Sequence, residues 1–218
     1  GRLKGLGTNN LKGKAFVTSG LGGMSGAQAK ALIVTGATGI IAEVDHDAIR
    51  QRIADHYIRE EDVFTDLDST QFVKSKNAEE ARCFVYQGNI VEVWEKLVFR
   101  HIHIELGSDQ TSCHNIDHLG YCPVECTFEE AKALMDDDKE GFDQAIKRSL
   151  RRHVDAINVM CSRGMYFWDY GNAFLFEAAR AGADIMDPHK PSGFKYPSYV
   201  EDIMGPMCFD YGFGPFRW

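Results

Sequence analysis

A strand, a glycine-rich turn and a helix are predicted by residues 14–35, which read KAFVTSGLGGMSGAQAKALIVT. Residues 14–19 form a short apolar run, as expected of a buried strand, and residues 20–26 contain four glycines. Residues 27–35 are rich in Ala, Leu and Ile, which suit a helix packed on a sheet. A second buried strand is predicted over residues 39–44, so this part of the chain should form one βαβ unit.

The rest of the chain alternates between strand-like and helix-like segments. Residues 45–80 are charged and mostly helical in pattern, with a break at residues 66–69, and should form an outer layer. Further strands are predicted over residues 83–87, 102–106 and 165–168, and helices over residues 91–99, 127–135, 141–161 and 173–180, with one short helix near Tyr199. This alternation predicts an α/β fold, a single Rossmann-like domain over residues 1–218 whose doubly wound, mostly parallel sheet has helices on both faces.

Composition narrows the class of protein. The 218 residues are 44% hydrophobic, so one domain can bury a core without disulfides or metals. The net charge is −8, which argues against nucleic acid as a partner. The six cysteines lack the regular spacing of a secreted disulfide scaffold, which predicts free thiols and a cytoplasmic location. No apolar run approaches the ~20 residues that a membrane-spanning helix needs.

The glycine turn is a candidate phosphate site, because glycines allow a pyrophosphate to approach the backbone amides at a helix start. Its G-x-G-x-x-x-G spacing departs from the usual dinucleotide fingerprint, since Ser25 takes the place of the third glycine. By itself such a pattern is more often a structural turn. Glu43 at the end of the second strand strengthens the nucleotide interpretation, because an acidic residue there binds a ribose diol and disfavours a 2′-phosphate, which favours NAD over NADP. A solvated strand-end carboxylate remains the alternative.

Polar side chains follow three of the predicted strands. Residues 88–89, 109–114 and 169–172 each begin where a strand ends, and such ends line the ligand crevice of a doubly wound sheet. Together with the glycine turn they predict a convergent pocket. A zinc site is the alternative for the stretch that contains Cys113, His114, His118, Cys122 and Cys126, but it has no C-x-x-C pair, and we predict no metal.

Four blocks of sequence, in this order along the chain, resemble the urocanate hydratase family. They are FVTSGLGGMSGAQ at residues 16–28, GSDQTSCHN at 107–115, YGNAFL at 170–175 and GFGPFRW at 212–218. The resemblance extends from about Leu11 to Trp218 and implies a cytoplasmic, homodimeric lyase of histidine degradation. That enzyme adds water to urocanate to give imidazolonepropionate, and its tightly bound NAD⁺ acts as an electrophile rather than as a hydride acceptor.

The resemblance also implies roles for individual residues. The cofactor-binding positions that it implies are Gly22, Gly23, Met24, Ser25, Glu43, Asn89, Ile90, Gln110, Thr111, Ser112, Cys113, His114, Tyr121, Cys122 and Tyr170. Arg217 resembles the residue that anchors the substrate carboxylate, a task that suits a bidentate guanidinium. Some members of the family carry an arginine where this chain has Ala48, and Arg50 is the candidate substitute.

The family's active-site cysteine and acid/base residues have no counterpart among these residues, so no catalytic residue is assigned. We therefore expect a fragment of a longer enzyme that is not catalytically competent alone. Two other functions stay open from the residues themselves. One is an NAD-dependent dehydrogenase domain, for which His114 is the only candidate acid/base near the pocket, and the other is a Rossmann-like binding module without chemistry.

Overall fold

Six parallel strands form one sheet in the structure, a computed structural model that describes residues 11–66, 69–209 and 212. The strands are β1 (Ala15–Ser19), β2 (Thr38–Glu43), β3 (Val63–Phe64), β4 (Arg82–Gln87), β5 (Leu106–Asp109) and β6 (Tyr166–Asp169). Their order is β3-β4-β2-β1-β5-β6, and every neighbouring pair is parallel. The chain leaves β1 toward one edge, then returns to build the other side from β5, so the order reverses between β1 and β5.

Helices cover both faces of this sheet. They are α1 (Ala27–Thr35), α2 (His46–Ala54), α3 (Ser69–Asn77), α4 (Ile90–Phe99), α5 (Phe128–Asp137), α6 (Lys139–Ser162), α7 (Phe174–Arg180) and α8 (Gly205–Phe209). Short 3-10 helices span Glu60–Asp62 and Cys113–His118, and one π-helical turn, Val200–Met204, precedes α8. The Rossmann-like α/β architecture predicted from the sequence is thereby confirmed.

Two apolar cores lie on opposite sides of the sheet. Side chains alternate along each strand, so Val17 faces one core and its neighbour Phe16 faces the other. The first core is closed mainly by α4, α6 and α7, and the second by α1 and α2. Because both faces are covered, the central strands are apolar without alternation, which is typical of parallel sheets.

The predicted strand at residues 102–106 is wrong in position, since β5 begins only at Leu106. Ile104 is fully buried, so it is apolar because it packs in the core and not because it belongs to a strand. The neighbouring Glu105 takes the place of a strand partner, because its Oε2 accepts a hydrogen bond of 2.8 Å from the backbone N–H of Ala15. The two-residue β3 was missed because so short a strand has no periodicity to detect.

Other local predictions are confirmed. Thr127 and Glu130 form the capping box at the start of α5, with the Thr127 N–H donating to Glu130 Oε2 at 2.8 Å. The helix predicted over residues 141–161 is α6, the longest in the described part of the chain. All six cysteines are free thiols. None of the helices in the described ranges is both long and apolar enough to span a membrane.

Candidate dinucleotide-binding site

A cleft of about 260 Å³ opens at the carboxyl ends of the central strands. It lies where the strand order reverses, the place at which open α/β sheets bind their ligands. Its walls come from the ends of β1, β2, β4 and β5 and from the loop that follows β5. The lining residues are Ser19, Gly20, Gly22, Ser25, Ala42, Glu43, Val44, Asp45, Gly88, Asn89, Ile90, Gln110, Thr111, Ser112, Leu119, Gly120, Tyr121, Cys122 and Phe128.

The glycine turn leaves its own amides without partners. Within the described residues, the backbone N–H groups of Gly22, Gly23, Met24 and Ser25 have no hydrogen-bond acceptor. Helix α1 begins directly after them, and its N-cap residue, Gly26, provides no side-chain cap. Consecutive free N–H groups at the positive end of a helix form an anion-binding concavity. A pyrophosphate fits this arrangement.

Two glycines explain the unusual spacing of the turn. Gly20 has a φ of +91°, and a Cβ there would lie 2.8 Å from the carbonyl oxygen of Gln110. A Cβ on Gly26 would lie 2.7 Å from Arg52 Cδ and 3.0 Å from the carbonyl oxygen of Gly22. Gly26 is therefore the glycine of this turn that packs closely against Arg52 of α2, and Ser25 is free to be a side-chain-bearing residue.

Glu43 ends β2, and its side chain bonds to the glycine turn. Its Oε2 accepts a hydrogen bond of 2.6 Å from the N–H of Leu21, and its Oε1 accepts one of 3.0 Å from the N–H of Asp45. Burial raises the pKa of this carboxyl group, although the backbone N–H donors oppose the shift. Each carboxylate oxygen can accept a further hydrogen bond, so the group is able to bind a diol.

Asn89 connects the end of β4 with the far wall of the cleft. Its Oδ1 accepts from the N–H of Val91 at 3.0 Å and caps α4, while its Nδ2 donates to the carbonyl oxygen of Cys122 at 2.8 Å. Glu92 completes a capping box with Asn89. The polar strand end predicted from the sequence thus fixes the loop that carries Tyr121 and Cys122.

The loop after β5 folds back on itself to reach the cleft twice. The N–H of Ser112 donates to the carbonyl oxygen of Gly120 at 2.7 Å, which brings residues 119–122 beside residues 110–112. A Cβ on Gly120 would lie 2.2 Å from the Ser112 carbonyl oxygen, so the turn requires glycine. Burial raises the pKa of the Cys122 thiol to about 12, and this sulfur therefore stays protonated.

Tyr121 lines the cleft but directs its hydroxyl group into the core. Tyr121 Oη lies 3.1 Å from Nδ1 of His153 on α6, and both side chains are fully buried. Burial raises the pKa of Tyr121 and lowers the pKa of His153 to about 3, so both are neutral near pH 7. The hydroxyl group is therefore engaged behind the cleft wall.

Several residues implied by the family resemblance lie away from the cleft. Met24 is 84% exposed at the tip of the turn. Cys113 and His114 line a separate cavity of about 530 Å³ against α6 and α7. Tyr170 stacks on Tyr199 with ring centroids 4.9 Å apart. Gly23 stands in the turn beside Met24, and Arg217 lies outside the described residues.

Arg50 stands on α2, one turn from its start. Its guanidinium pairs with the carboxylate of Asp47, and both side chains are exposed. It lines a wider depression that adjoins the cleft and shares Val44, Gly88 and Phe128 with it. The structure therefore places Arg50 beside the cleft and not in it.

Sequence reasoning did not select some residues that line the cleft. Ser19 is a strand-end position, Leu119 lies in the loop after β5, and Phe128 comes from the start of α5. Ser19 precedes the glycine turn directly, so its position was a usable signal. Nothing in the local sequence of Phe128 or Leu119 marks them, because their proximity depends on how the loop after β5 folds. Within the described residues, no cluster of His, Cys, Asp and Glu could hold a metal ion.

Comparison with known proteins identifies the chain's relatives. The family model for the urocanase Rossmann-like domain matches residues 2–203. The chain is 50% identical to a "Probable urocanate hydratase" of Dictyostelium discoideum over 99% of its length, 48% identical to the urocanate hydratase of Mus musculus over 98%, and 47% identical to that of Homo sapiens over 98%. In each case it spans 32% of the relative, about a third of that protein's length.

Proposed function

Because this chain belongs to the urocanase family, we propose that it is the NAD⁺-binding domain of a urocanate hydratase. In this proposal residues 1–218 form one domain of a longer homodimeric, cytoplasmic enzyme of histidine degradation. The enzyme adds water to urocanate, giving imidazolonepropionate. The catalytic acid/base and cysteine residues belong to other parts of that enzyme, so the chain alone binds the cofactor without turnover.

One observation carries the proposal: four consecutive N–H groups before α1 have no acceptor among the described residues, and the strand-end carboxylate of Glu43 lines the cleft beside this turn. The N–H groups of Gly22, Gly23, Met24 and Ser25 would hold the pyrophosphate, and Glu43 would accept hydrogen bonds from the adenosine ribose. When bound, NAD⁺ would supply an electrophilic nicotinamide ring. This chain's residues bind and orient it.

The dehydrogenase alternative has less support. It needs an acid/base side chain beside the nicotinamide, and the single candidate from the sequence, His114, lines the separate cavity against α6 and α7. A binding module without chemistry is compatible with the geometry of the isolated chain, but the relatives are named as hydratases. Arg217, in the terminal Phe-Arg-Trp, remains the proposed anchor for the carboxylate of urocanate.

The test is a calorimetric titration of the purified chain with NAD⁺ and NADP⁺, together with mass spectrometry of any nucleotide released on denaturation. We expect NAD⁺ to bind at least about tenfold more tightly than NADP⁺, because a 2′-phosphate would meet the Glu43 carboxylate. Urocanate absorbance should not change. Absence of NAD⁺ binding would contradict the proposal, and urocanate loss would mean that the chain contains the catalytic residues.

A variant sharpens the role of Glu43. Glu43→Gln should weaken NAD⁺ binding by about tenfold, because hydrogen bonds to a charged group are lost. It should also reduce the preference of the chain for NAD⁺ over NADP⁺. Asp47→Asn is the matched control, since it changes the net charge equally on an exposed side chain. Equal effects of the two variants would show that overall charge, and not the position of Glu43, controls affinity.

A further inference from the structure

Asp109, the last residue of β5, is fully buried beneath the cleft and is not among the residues that line it. Its carboxylate accepts four hydrogen bonds. Ser19 Oγ donates to Oδ2 at 2.6 Å, while the Thr111 N–H at 3.1 Å, Thr111 Oγ1 at 2.5 Å and Asn172 Nδ2 at 2.8 Å donate to Oδ1. All four bonds run toward the carboxylate, three to Oδ1 and one to Oδ2, as is expected for an ionised carboxylate, which accepts hydrogen bonds and donates none.

The four donors belong to three separate segments. Ser19 ends β1, Thr111 begins the loop after β5, and Asn172 stands in the turn after β6. Two further bonds close the network: Asn172 Nδ2 also donates to the carbonyl oxygen of Thr111 at 2.7 Å, and the N–H of Gln110 donates to Ser19 Oγ at 3.2 Å. One buried side chain thus connects three strand ends.

Two of the three segments that Asp109 connects, the end of β1 and the loop after β5, are also walls of the cleft. Ser19, Gln110 and Thr111 all line it, whereas Asp109 and Asn172 lie behind them. No Lys, Arg or His in the described residues forms an ion pair with Asp109. Burial raises the pKa of this carboxyl group, and the hydrogen bonds from Ser19, Thr111 and Asn172 oppose that shift. A buried carboxylate without a cation is retained at a cost in stability, which points to a task beyond packing.

The position of this network within the fold indicates which part of a dinucleotide it serves. A doubly wound sheet binds the two mononucleotide halves on either side of the reversal in strand order. Glu43 on β2 lies on the proposed adenosine side. The ends of β5 and β6 lie on the opposite side, where the nicotinamide half would bind.

We propose that Asp109 is a positioning residue for the nicotinamide half of the cofactor, acting by holding Ser19, Gln110 and Thr111 in the arrangement that forms that wall of the cleft. This inference rests on the proposed NAD⁺-binding function. Asp109 does not touch the cofactor, and its effect is transmitted through hydrogen bonds to residues that do.

The same two strands supply a matched control. One residue before Ser19 and Asp109, Thr18 Oγ1 and Ser108 Oγ lie 2.8 Å apart across β1 and β5, and both residues are fully buried. Neither lines the cleft or bonds to a strand-end loop. Ser108→Ala therefore removes a buried hydrogen bond between the same strands without disturbing the network of Asp109.

The experiment measures the affinity of the chain for NAD⁺ and for ADP, which carries the adenosine and the diphosphate but no nicotinamide half. Asp109→Ala should weaken NAD⁺ binding by at least about tenfold while ADP binding stays within about threefold. Asp109→Asn should restore most of the NAD⁺ affinity, because its amide oxygen can still accept from Thr111 and Asn172 while the Ser19 hydroxyl turns to accept from the amide N–H. Ser108→Ala should change neither affinity.

The outcomes separate this inference from the proposed function. If the unaltered chain binds neither NAD⁺ nor ADP, the proposed function itself is overturned. If it binds both, the inference is overturned when Asp109→Ala weakens the two ligands equally, when it weakens neither, or when Asp109→Asn is as weak as Asp109→Ala. If Asp109→Ala does not fold, Asn172→Ala replaces it, since that change removes the bonds to Asp109 and Thr111, together with the acceptor of the Phe174 N–H at 3.4 Å. The same NAD⁺-specific loss, smaller in size, would support the inference, and an equal loss for both ligands would overturn it.

Discussion

The polar groups of the two walls of the cleft differ in whether they have hydrogen-bond partners within the protein. On the wall formed by the glycine turn, four backbone N–H groups have no acceptor among the described residues. On the wall formed by β5 and its loop, the Asp109 carboxylate is saturated by donors from Ser19, Thr111 and Asn172. Both walls lie at the carboxyl end of the same sheet, but the glycine turn has unpaired N–H groups that a ligand can use, whereas the donors around Asp109 already have an acceptor.

The difference separates a binding surface from its support. Unpartnered N–H groups exposed to solvent lose little, and they gain a strong partner when an anion arrives. Buried polar groups need partners even without a ligand, because an unpaired buried donor or acceptor lowers the stability of the folded protein. The polar groups behind this wall therefore form hydrogen bonds with one another, and these bonds fix the shape of the wall that a ligand meets.

The largest expected effect comes from breaking the contact between the two walls at Gly20. Gly20→Ala would place a side chain at a φ of +91° and 2.8 Å from the carbonyl oxygen of Gln110. Backbone strain of this kind costs about 1–3 kcal/mol before any clash is counted. We expect thermal unfolding to begin roughly 5–10 °C lower, measured by circular dichroism, and NAD⁺ binding to be lost.

Gly23→Ala is the control for that experiment. Nothing lies within 4 Å of a Cβ at Gly23, although it belongs to the same turn. Its melting temperature should remain within about 2 °C of the original, as for a surface change without strain. Equal destabilisation by both variants would mean that the turn tolerates no side chain anywhere, and the close approach of the walls would not be the cause.

A smaller effect is expected from His153, which lies behind Tyr121 in the core, on the pH dependence of stability. Burial lowers the pKa of His153 to about 3, so the folded protein does not take up a proton there that the unfolded chain, with an ordinary pKa near 6.5, does take up. The stability that depends on neutral His153 is complete above about pH 6.5 and is lost as the pH falls toward 3. Between pH 6 and pH 4 the free energy of unfolding should therefore fall less steeply in His153→Phe than in the unaltered chain. The two slopes should differ by about 1.4 kcal/mol per pH unit.

Urea unfolding at several pH values measures this slope. Tyr121→Phe is the comparison variant, because it removes the hydroxyl at 3.1 Å but keeps His153 buried behind the same wall. It should retain the slope of the unaltered chain. An unchanged slope in His153→Phe would show that His153 is protonated in the folded protein, contrary to its complete burial.

The smallest expected effect is that of Arg50→Ala. Arg50 is exposed, and its ion pair with Asp47 is of the kind that contributes little to stability. Since the guanidinium lies outside the cleft, we expect NAD⁺ affinity to change by less than about threefold in the same titration. A tenfold loss would instead mean that Arg50 moves to the ribose side and substitutes for the arginine that is absent at Ala48.

Much of the fold could be predicted from the sequence, for reasons visible in particular elements. Helix α1 has the predicted bounds because a glycine turn precedes it and Gly36, in the left-handed conformation, ends it. Helix α6 shows its apolar stripe over many turns. The predicted strand at residues 102–106 failed because Ile104 is apolar for burial in the core and not for pairing, and a local pattern does not separate these two causes.

The candidate site was predictable to a smaller degree. Strand ends such as Glu43 and Asn89 could be placed at the cleft because parallel strands bring their carboxyl ends to one edge. The orientation of single side chains in the loop after β5 could not be predicted. Gln110 and Thr111 face the cleft, whereas Cys113 and His114 face α6 and α7, because a 3-10 helix begins at Cys113 and turns the chain.

The sequence by itself determined the parallel α/β architecture, the position of the glycine turn and the family, since these depend on local residue types and their order. Only the tertiary structure decided that Gly26 packs against Arg52, that Tyr121 bonds to His153, and that Asp109 connects three strand ends. These contacts join residues that are far apart in the chain. Their partners are set by how the strands are ordered and how the loops close over them, which no local pattern contains.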